Sequence, residues 1–312
     1  MTSTALRGRR LALYLFLCAV WGSTWLFIKI GLRDLPPLRF AGLRMGVACL
    51  LLTPFALGAL GGRRDRRAAP PTRREALLVA LSGFLQIGVS YAFLFVATQW
   101  IESGLGAILF SSFPIWVGLF AHFLLPDEPL TPRTLGAAAL GLAGVAVIEA
   151  PAVAGLSRHA SGGLVAGGAL MCGAAIVSAY ANVLNKRSFA GISPIVNVWG
   201  QTLVGSAVLL LAAAILERGA PARWTTSAIV SLAYLAVFGT ALTFAGLFWL
   251  IPRVPVAVIG TIPLVDTFLA VLLGSLVLGE RLSPRIFAGG FLILAGVVLA
   301  ARPKREPAVP AS

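Results

Sequence analysis

Glu128-Pro129-Leu130-Thr131-Pro132-Arg133 recurs 152 residues later as Glu280-Arg281-Leu282-Ser283-Pro284-Arg285. At the same spacing Leu142-Ala143-Gly144-Val145 recurs as Leu294-Ala295-Gly296-Val297. In each copy an apolar run precedes the Glu and another follows the Arg. Each stretch reads as a tight turn between two helices. Thr131 and Ser283 suit an N-cap, and Pro132 and Pro284 suit the first helical position. Recurrence invites a functional reading of Glu128 and Glu280. The structural reading makes them repeat turns, near the free donors of the next helix start. The spacing marks a duplicated unit.

The solvent of that unit is a bilayer. The chain is 58% hydrophobic and only 12% charged, more apolar surface than a soluble domain hides. A net charge of +14 would suit nucleic acid, but position argues against it. Most Lys and Arg sit in short loops and tails between apolar runs, with no basic aromatic surface. Cys18, Cys49 and Cys172 fall inside apolar runs and read as structural thiols. The chain has two histidines, and no metal or cofactor is expected. Arg7, Arg9 and Arg10 before residues 11–20 imitate a signal peptide. Trp21-Gly22-Ser23-Thr24-Trp25 replaces the small-residue cleavage pattern, so the reading is an uncleaved span.

A helix crosses the hydrocarbon with about 20 residues. Apolar windows of that size lie near 11–32, 38–60, 76–98, 104–125, 134–150, 162–184, 193–216, 229–251, 254–278 and 286–301. The fifth and tenth are short and rich in glycine (Gly136, Gly141, Gly144; Gly289, Gly290, Gly296), which suits close helix packing. The predicted fold class is all-α integral membrane, with ten transmembrane helices around a central cavity. The predicted organisation is a tail (1–10), a five-helix repeat (11–150), a linker (151–161), a second repeat (162–301) and a tail (302–312).

Ten spans put both termini on one side. With that side taken as cytoplasmic, inner segments hold sixteen of the 25 Lys and Arg. Outer segments hold six: Arg33, Arg158, Arg218, Arg223, Arg281 and Arg285. Lys29, Arg39 and Arg44 fall within outer ends of windows. The bias predicts a multi-pass protein of the inner membrane with both termini cytoplasmic. Five spans per repeat is odd, so the repeats are inverted, the layout of many secondary transporters. The basic loop 61–74 suits anionic lipid headgroups.

Trp21-Gly22-Ser23-Thr24 followed by Ile28-Lys29-Ile30-Gly31 resembles the first span of EamA-type members of the drug/metabolite transporter (DMT) superfamily. So does Pro37-Leu38-Arg39-Phe40 leading to Arg44. The Pro114 span ending at Glu128, and Leu278-Gly279-Glu280, are similar to that family's two repeat signatures. The resemblance covers about 10–302. It implies ten helices, with the fifth and tenth peripheral, and transport of small metabolites by alternating access. One departure stands out. The family often has a proline 13 or 14 residues before the second Glu, where this chain has Asp266-Thr267 and its proline at Pro263.

A transporter needs polar side chains facing a cavity rather than lipid. Asp266, near the middle of the ninth window, is the leading candidate. A carboxylate there costs several kcal/mol unless water, a cation or a donor compensates. It suits a proton-coupling or cation site; the alternative is an Asp bonded to a neighbouring Ser, Thr or Trp. Ser23, Thr24, Ser112, Trp116, Thr240 and Thr243 lie at similar depth. Their hydroxyls either bind a polar solute or bond a carbonyl one turn back. Trp21 and Trp25 share a helix face and either stack on a solute or pack. Tyr91 and Tyr180 suit an access route. Gln201 is a further cavity candidate. Lys29 and Arg44 either snorkel to outer headgroups or pair with Glu102 as an outer gate. His122 reads as an interfacial hydrogen-bonder rather than a proton relay.

The expected function is secondary-active transport, in the export direction, of a small organic metabolite, amino acid or drug-like solute. A coupling proton and membrane lipids are the other expected partners. The alternative is an integral-membrane enzyme or a non-transporting subunit. The chain has no H-E-x-x-H, no G-x-S-x-G and no intramembrane pair of acids, so no enzyme is expected. No basic residue is expected near the midplane, which argues against anionic substrates such as sugar phosphates. The Arg-over-Lys excess with abundant Ala and Gly suggests a GC-rich bacterial genome.

Overall fold

A computed structural model describes residues 8–61, 71–101, 109–110, 112–128, 130–148, 162–188, 191–269 and 284–301. Glu102, Glu280 and the linker 151–161 lie outside these residues. The described residues are helical or in short connections, without strands. Six helices are long and apolar enough to cross a membrane: Arg9–Gly31, Pro37–Leu60, Arg73–Ala97, Gly163–Ser188, Pro194–Leu216 and Thr226–Arg253. Four shorter apolar helices are Phe113–Leu124, Pro132–Val147, Val256–Leu269 and Phe287–Ala300.

The elements that position the site are α1 (Arg9–Gly31), α2 (Pro37–Gly61), α3 (Arg73–Gly83) and α4 (Ser90–Ala97). They continue with α5 (Phe113–Leu124), α6 (Pro132–Ile148), α7 (Gly162–Ser188) and α8 (Pro194–Leu216). Then come α9 (Thr226–Ala236), α10 (Thr243–Leu250), α11 (Val256–Leu269) and α12 (Pro284–Ala301). The third and eighth apolar runs are each interrupted by a wide π-turn, at Phe84–Val89 and Val237–Leu242. The two π-turns stand 153 positions apart, close to the spacing of the duplicated motif.

Local chemistry sets the helix starts. Thr72 and Glu75 form a reciprocal capping box at α3. Thr225 Oγ1 accepts from Ala228 N at 3.2 Å at α9. Thr131 Oγ1 accepts from Thr134 N at 3.1 Å at α6, the predicted cap. The first donors of α2, Leu38 N and Arg39 N, go to the Glu217 carboxylate at 2.6 and 2.9 Å. An acid there satisfies groups that a helix leaves open and complements its dipole.

These contacts define two ends of the bundle. At one, Arg223 N donates to Asp34 O (2.8 Å) and Thr225 Oγ1 to Asp34 Oδ2 (2.6 Å). At the other, Glu128, Lys186 and Val256 meet. Since α1 runs toward Asp34, Arg9 lies at the Glu128 end.

The outward face of the bundle is apolar, unlike that of a soluble protein. Leu50, Phe55, Leu211, Leu216, Phe287 and Phe291 project outward and are more than half exposed. Arg44, Gln86, Asn182, Gln201 and Asp266 are buried. That arrangement fits a solvent of lipid. Lipid supplies no hydrophobic drive between helices, so close packing must hold them. The α6–α12 seam shows it: a Cβ on Gly144 would lie 2.5 Å from Gly289 O, and one on Gly296 would lie 2.7 Å from Ala137 O. Gly144 and Gly296 admit the facing backbone, while Gly141 and Gly290 make room for the Leu264 and Phe268 side chains.

Candidate functional site

A cavity of about 110 Å³ lies between α1, α2, α4, α5, α7, α10 and α11. Aromatic rings form much of its wall. Trp21 meets Phe244 edge-on with centroids 5.7 Å apart, and Tyr91 stacks on Phe95 at 5.9 Å. Trp25 and Phe113 complete this wall. Such faces receive apolar or cationic groups.

Arg44 reaches into this wall and corrects the expectation that it snorkels to headgroups. It is 2% exposed. Its Nε donates to Thr240 Oγ1 and its Nη2 to Gly239 O, each at 2.8 Å. Its guanidinium lies 5.4 Å from the Tyr91 ring centroid. The physical reason is the π-turn in the eighth apolar run. A π-turn spoils the regular carbonyl ladder and offers the Gly239 oxygen to an outside donor. Trp21 Nε1 takes the same oxygen at 3.2 Å. A basic residue therefore lines the cavity, contrary to the sequence expectation that excluded anions. Its proposed partner Glu102 lies outside the described residues, and Lys29 is exposed.

Asp266 lines the cavity and is 8% exposed. Its hydrogen-bond partner among the described residues is the neighbouring Thr267, through the backbone and through Oγ1 at a distant 3.5 Å. That hydroxyl already donates to Pro263 O at 2.8 Å. Asp266 and Arg44 thus share a cavity without forming an ion pair with each other. A third group faces the same space. Asn182 donates through Nδ2 to Gln86 Oε1 (3.0 Å) and to Ser178 O (2.9 Å). Those two acceptors fix the amide orientation and leave Oδ1 buried without a hydrogen bond. Buried polar atoms rarely stay unpaired; Asn182 lines the cavity, while its Oδ1 is closed off from water and from protein donors.

The other sequence candidates divide. Thr24, Trp21 and Tyr91 line the cavity with Asp266. Thr24 Oγ1 also bonds back to Trp21 O at 2.7 Å. Ser23 sits behind the wall, bonded to Val20 O and to the Tyr234 hydroxyl at 2.7 and 2.6 Å. Ser112 bonds back to Leu109 O and accepts from Trp116 Nε1 at 3.3 Å. Thr240 and Thr243 serve the π-turn and its following helix. Tyr180 packs edge-on against Phe120. His122 Nδ1 accepts from Leu130 N at 3.3 Å, the hydrogen-bonding role expected.

Glu128 departs from its reading as a local turn residue. One carboxylate oxygen accepts from Val256 N at 2.7 Å, and the other pairs with Lys186 at 2.6 Å. The helix start it serves is α11, more than a hundred residues away, not α6. Its recurrence partner Glu280 lies outside the described residues.

The sequence reading missed Gln86, Ser90, Ser178 and Asn182 on the cavity wall. Gln86 Nε2 donates to Ser178 Oγ at 2.7 Å, and Ser90 Oγ to Ala174 O at 3.0 Å. A second amide cluster joins Ser82, Asn185, Asn197 and Gln201. Gln201 Nε2 donates to both Asn185 Oδ1 and Asn197 Oδ1 at 2.8 Å. The readable signal was the amides themselves, set inside apolar runs where each needs a partner.

Known proteins resemble the chain along most of its length. The uncharacterized transporter YoaV of Bacillus subtilis is 28% identical, covering 90% of this chain and 92% of its own. The uncharacterized inner membrane transporter YedA of Escherichia coli K12 is 30% identical, covering 94% and 89%. A Salmonella typhimurium protein named "Probable amino-acid metabolite efflux pump" is 26% identical, covering 92% and 93%. A crystal structure of a protein 20% identical in sequence superposes with a TM-score of 0.78, covering 95% of this chain and 97% of that one; that likeness concerns fold. EamA-like transporter family matches span residues 9–150 and 165–302. With apolar helices outside and a polar cavity within, the chain is a multi-pass membrane protein and belongs to the EamA-like transporter family.

Proposed function

We propose that the chain is a secondary-active exporter that carries a small organic solute through the Arg44–Asp266 cavity by alternating access, without enzymatic activity. The observation that carries this reading is the cavity's unused polarity. Arg44 offers positive charge on one element, while the Asp266 carboxylate offers acceptors on another. The matching solute carries a donor-bearing or cationic group for the acceptors and an apolar or aromatic body for the rings. An acceptor near Arg44 completes it. An amino-acid metabolite has this form, in keeping with the name of the Salmonella relative. Asp266 is also the candidate site for a coupling proton.

Transport by this reading uses ten helices in two inverted five-helix repeats, with both termini cytoplasmic. Matched contacts support it. Trp21 Nε1 reaches the second π-turn at Gly239, and Gln86 of the first π-turn reaches Ser178. Trp21 and Ser178 stand 157 positions apart, and Gln86 and Gly239 stand 153 apart. In both contacts a donor of the first half meets an acceptor of the second, the two offsets differing by about one helical turn. By this assignment the Glu128 end faces the cytoplasm.

The test is metabolite release from cells that make the wild type, the Asp266→Asn variant or neither. The wild type should deplete one solute class inside and enrich it outside. Asp266→Asn should abolish that difference while remaining folded and inserted, because an unpaired intramembrane charge is a cost rather than a support. An Asp266→Asn variant that releases the solute at the wild-type rate, with unchanged pH dependence, would refute the role of Asp266.

A further inference from the structure

We infer that Glu128 and Lys186 form a latch that holds the Glu128 end of the cavity shut. The inference rests on the alternating-access reading and assigns a moving part to it. Glu128 follows α5, Lys186 lies in the last turn of α7, and Val254 and Val256 flank the start of α11. Both Glu128 oxygens are engaged, one by Lys186 Nζ at 2.6 Å and one by Val256 N at 2.7 Å. Lys186 Nζ also donates to Val254 O. Two opposite charges therefore grip the first turn of α11 by its donor and by the carbonyl before it.

The location gives this grip its consequence. α11 carries Ile259, Pro263 and Asp266 in the cavity wall. Among them, Tyr14 of α1 is hydrogen-bonded to Thr261 of α11 at 2.9 Å. Phe248, Ile251, Val254 and Val258 fill the remaining space as buried core. Opening the cavity toward the Glu128 end requires α11 to part from α5 and α7. That motion breaks every contact of the latch together.

The exposure of the pair suits a reversible contact. The Lys186 and Glu128 side chains are 16% and 20% exposed. A fully exposed pair holds almost nothing, and a fully buried one leaves stranded charges when broken. At the observed depth water reaches both groups once they separate. A turn-forming Glu would have needed only its own helix's donors; this one spans three helices.

The test reads accessibility, not transport. Cys18, Cys49 and Cys172 are replaced by alanine, and Leu247→Cys places one thiol in the cavity wall. A membrane-impermeant maleimide is applied to vesicles from each side. Glu128→Gln and Lys186→Met should raise the labelling rate from the Glu128 end roughly tenfold, the shift expected for losing a charged hydrogen bond. Lys186→Arg keeps the pair and should label as slowly as the parent. Size-exclusion profiles establish that each variant is folded, and Glu128→Gln, which keeps its shape, serves if Lys186→Met aggregates. Labelling within about twofold of the parent for Glu128→Gln overturns the latch. So does Lys186→Arg labelling as fast as Lys186→Met. If labelling rises and the release assay shows no transport, the latch stands and the exporter reading falls. If release is seen and labelling does not move, the latch alone falls.

Discussion

The Arg44 clamp on the second π-turn permits a worked magnitude. Arg44→Met removes the 2.8 Å bonds to Thr240 Oγ1 and Gly239 O. Hydrogen bonds to a charged group contribute about 1.5–3 kcal/mol each. Two considerations reduce the loss. Neither acceptor is orphaned, because Gly239 O keeps Trp21 Nε1 and Thr240 Oγ1 keeps its own bond to Leu235 O. Removing a buried guanidinium also relieves its desolvation cost. The expected net loss is therefore roughly 1–2 kcal/mol, a fall of roughly 2–3 °C in thermal midpoint in detergent. Arg44→Lys should lose about half as much, since one ammonium engages fewer acceptors. A cycle with Thr240→Val isolates the contact. The double variant should be less destabilised than the sum of the singles by about 1 kcal/mol. Additive losses would refute the clamp. A loss above about 4 kcal/mol for Arg44→Met would refute the claim that its acceptors keep partners. Solute release should fall in Arg44→Met regardless of this modest stability cost.

Gly83→Ala should destabilise by about 1–3 kcal/mol, because its Cβ would lie 2.7 Å from Gln201 Cα and 2.8 Å from Gln201 O, neither of which is a flexible chain end. Gly58→Ala, in α2 with nothing within 4 Å, should instead gain up to about 1 kcal/mol from helix propensity; thermal midpoints of the two variants give the comparison. Tyr14→Phe removes the bond to Thr261 and should lower the midpoint by an amount equal to about 1 kcal/mol, while raising labelling of the Leu247→Cys reporter from the Glu128 end. Reporter fusions at Ser312 and within 61–75 should both report cytoplasm; opposite sides would exclude ten spans.

What the sequence made legible followed from period and composition. Apolar runs, glycine-rich short windows and the caps at Thr131 and Pro132 state local rules that tertiary contacts had no reason to override. Arg44 was misread because depth was judged from a straight helix and from arginine's usual habit. Its destination depended on a π-turn in another part of the chain, which no local pattern announces. Glu128 was misread for the same reason: its partners are remote in sequence, and a carboxylate near a helix start looks local until the structure shows which start it serves. Asp266 was legible as an intramembrane acid. The Asn182 orphan was not, since an amide reveals an unused oxygen only when its other bonds are known.

The π-turn at Phe84–Val89 has a consequence for how such chains are aligned and engineered. A π-turn accommodates about one more residue than an α-turn, and one residue of helix is about 100° of rotation. The rod therefore changes heading partway along. Gly83 points at Gln201 of α8, while Tyr91 and Phe95, beyond the turn, point at the cavity. Deleting one residue between 84 and 89 would leave the hydropathy profile almost untouched and the span long enough to cross. Closing the π-turn to an α-turn would absorb the loss and leave Tyr91 beside the Arg44 guanidinium, whereas the same deletion in a regular α-turn of the span would swing everything beyond it by about 100°. A single-residue gap is absorbed at this turn and is a change of compass bearing elsewhere in the span, a difference invisible to any measure that counts only how greasy the segment is.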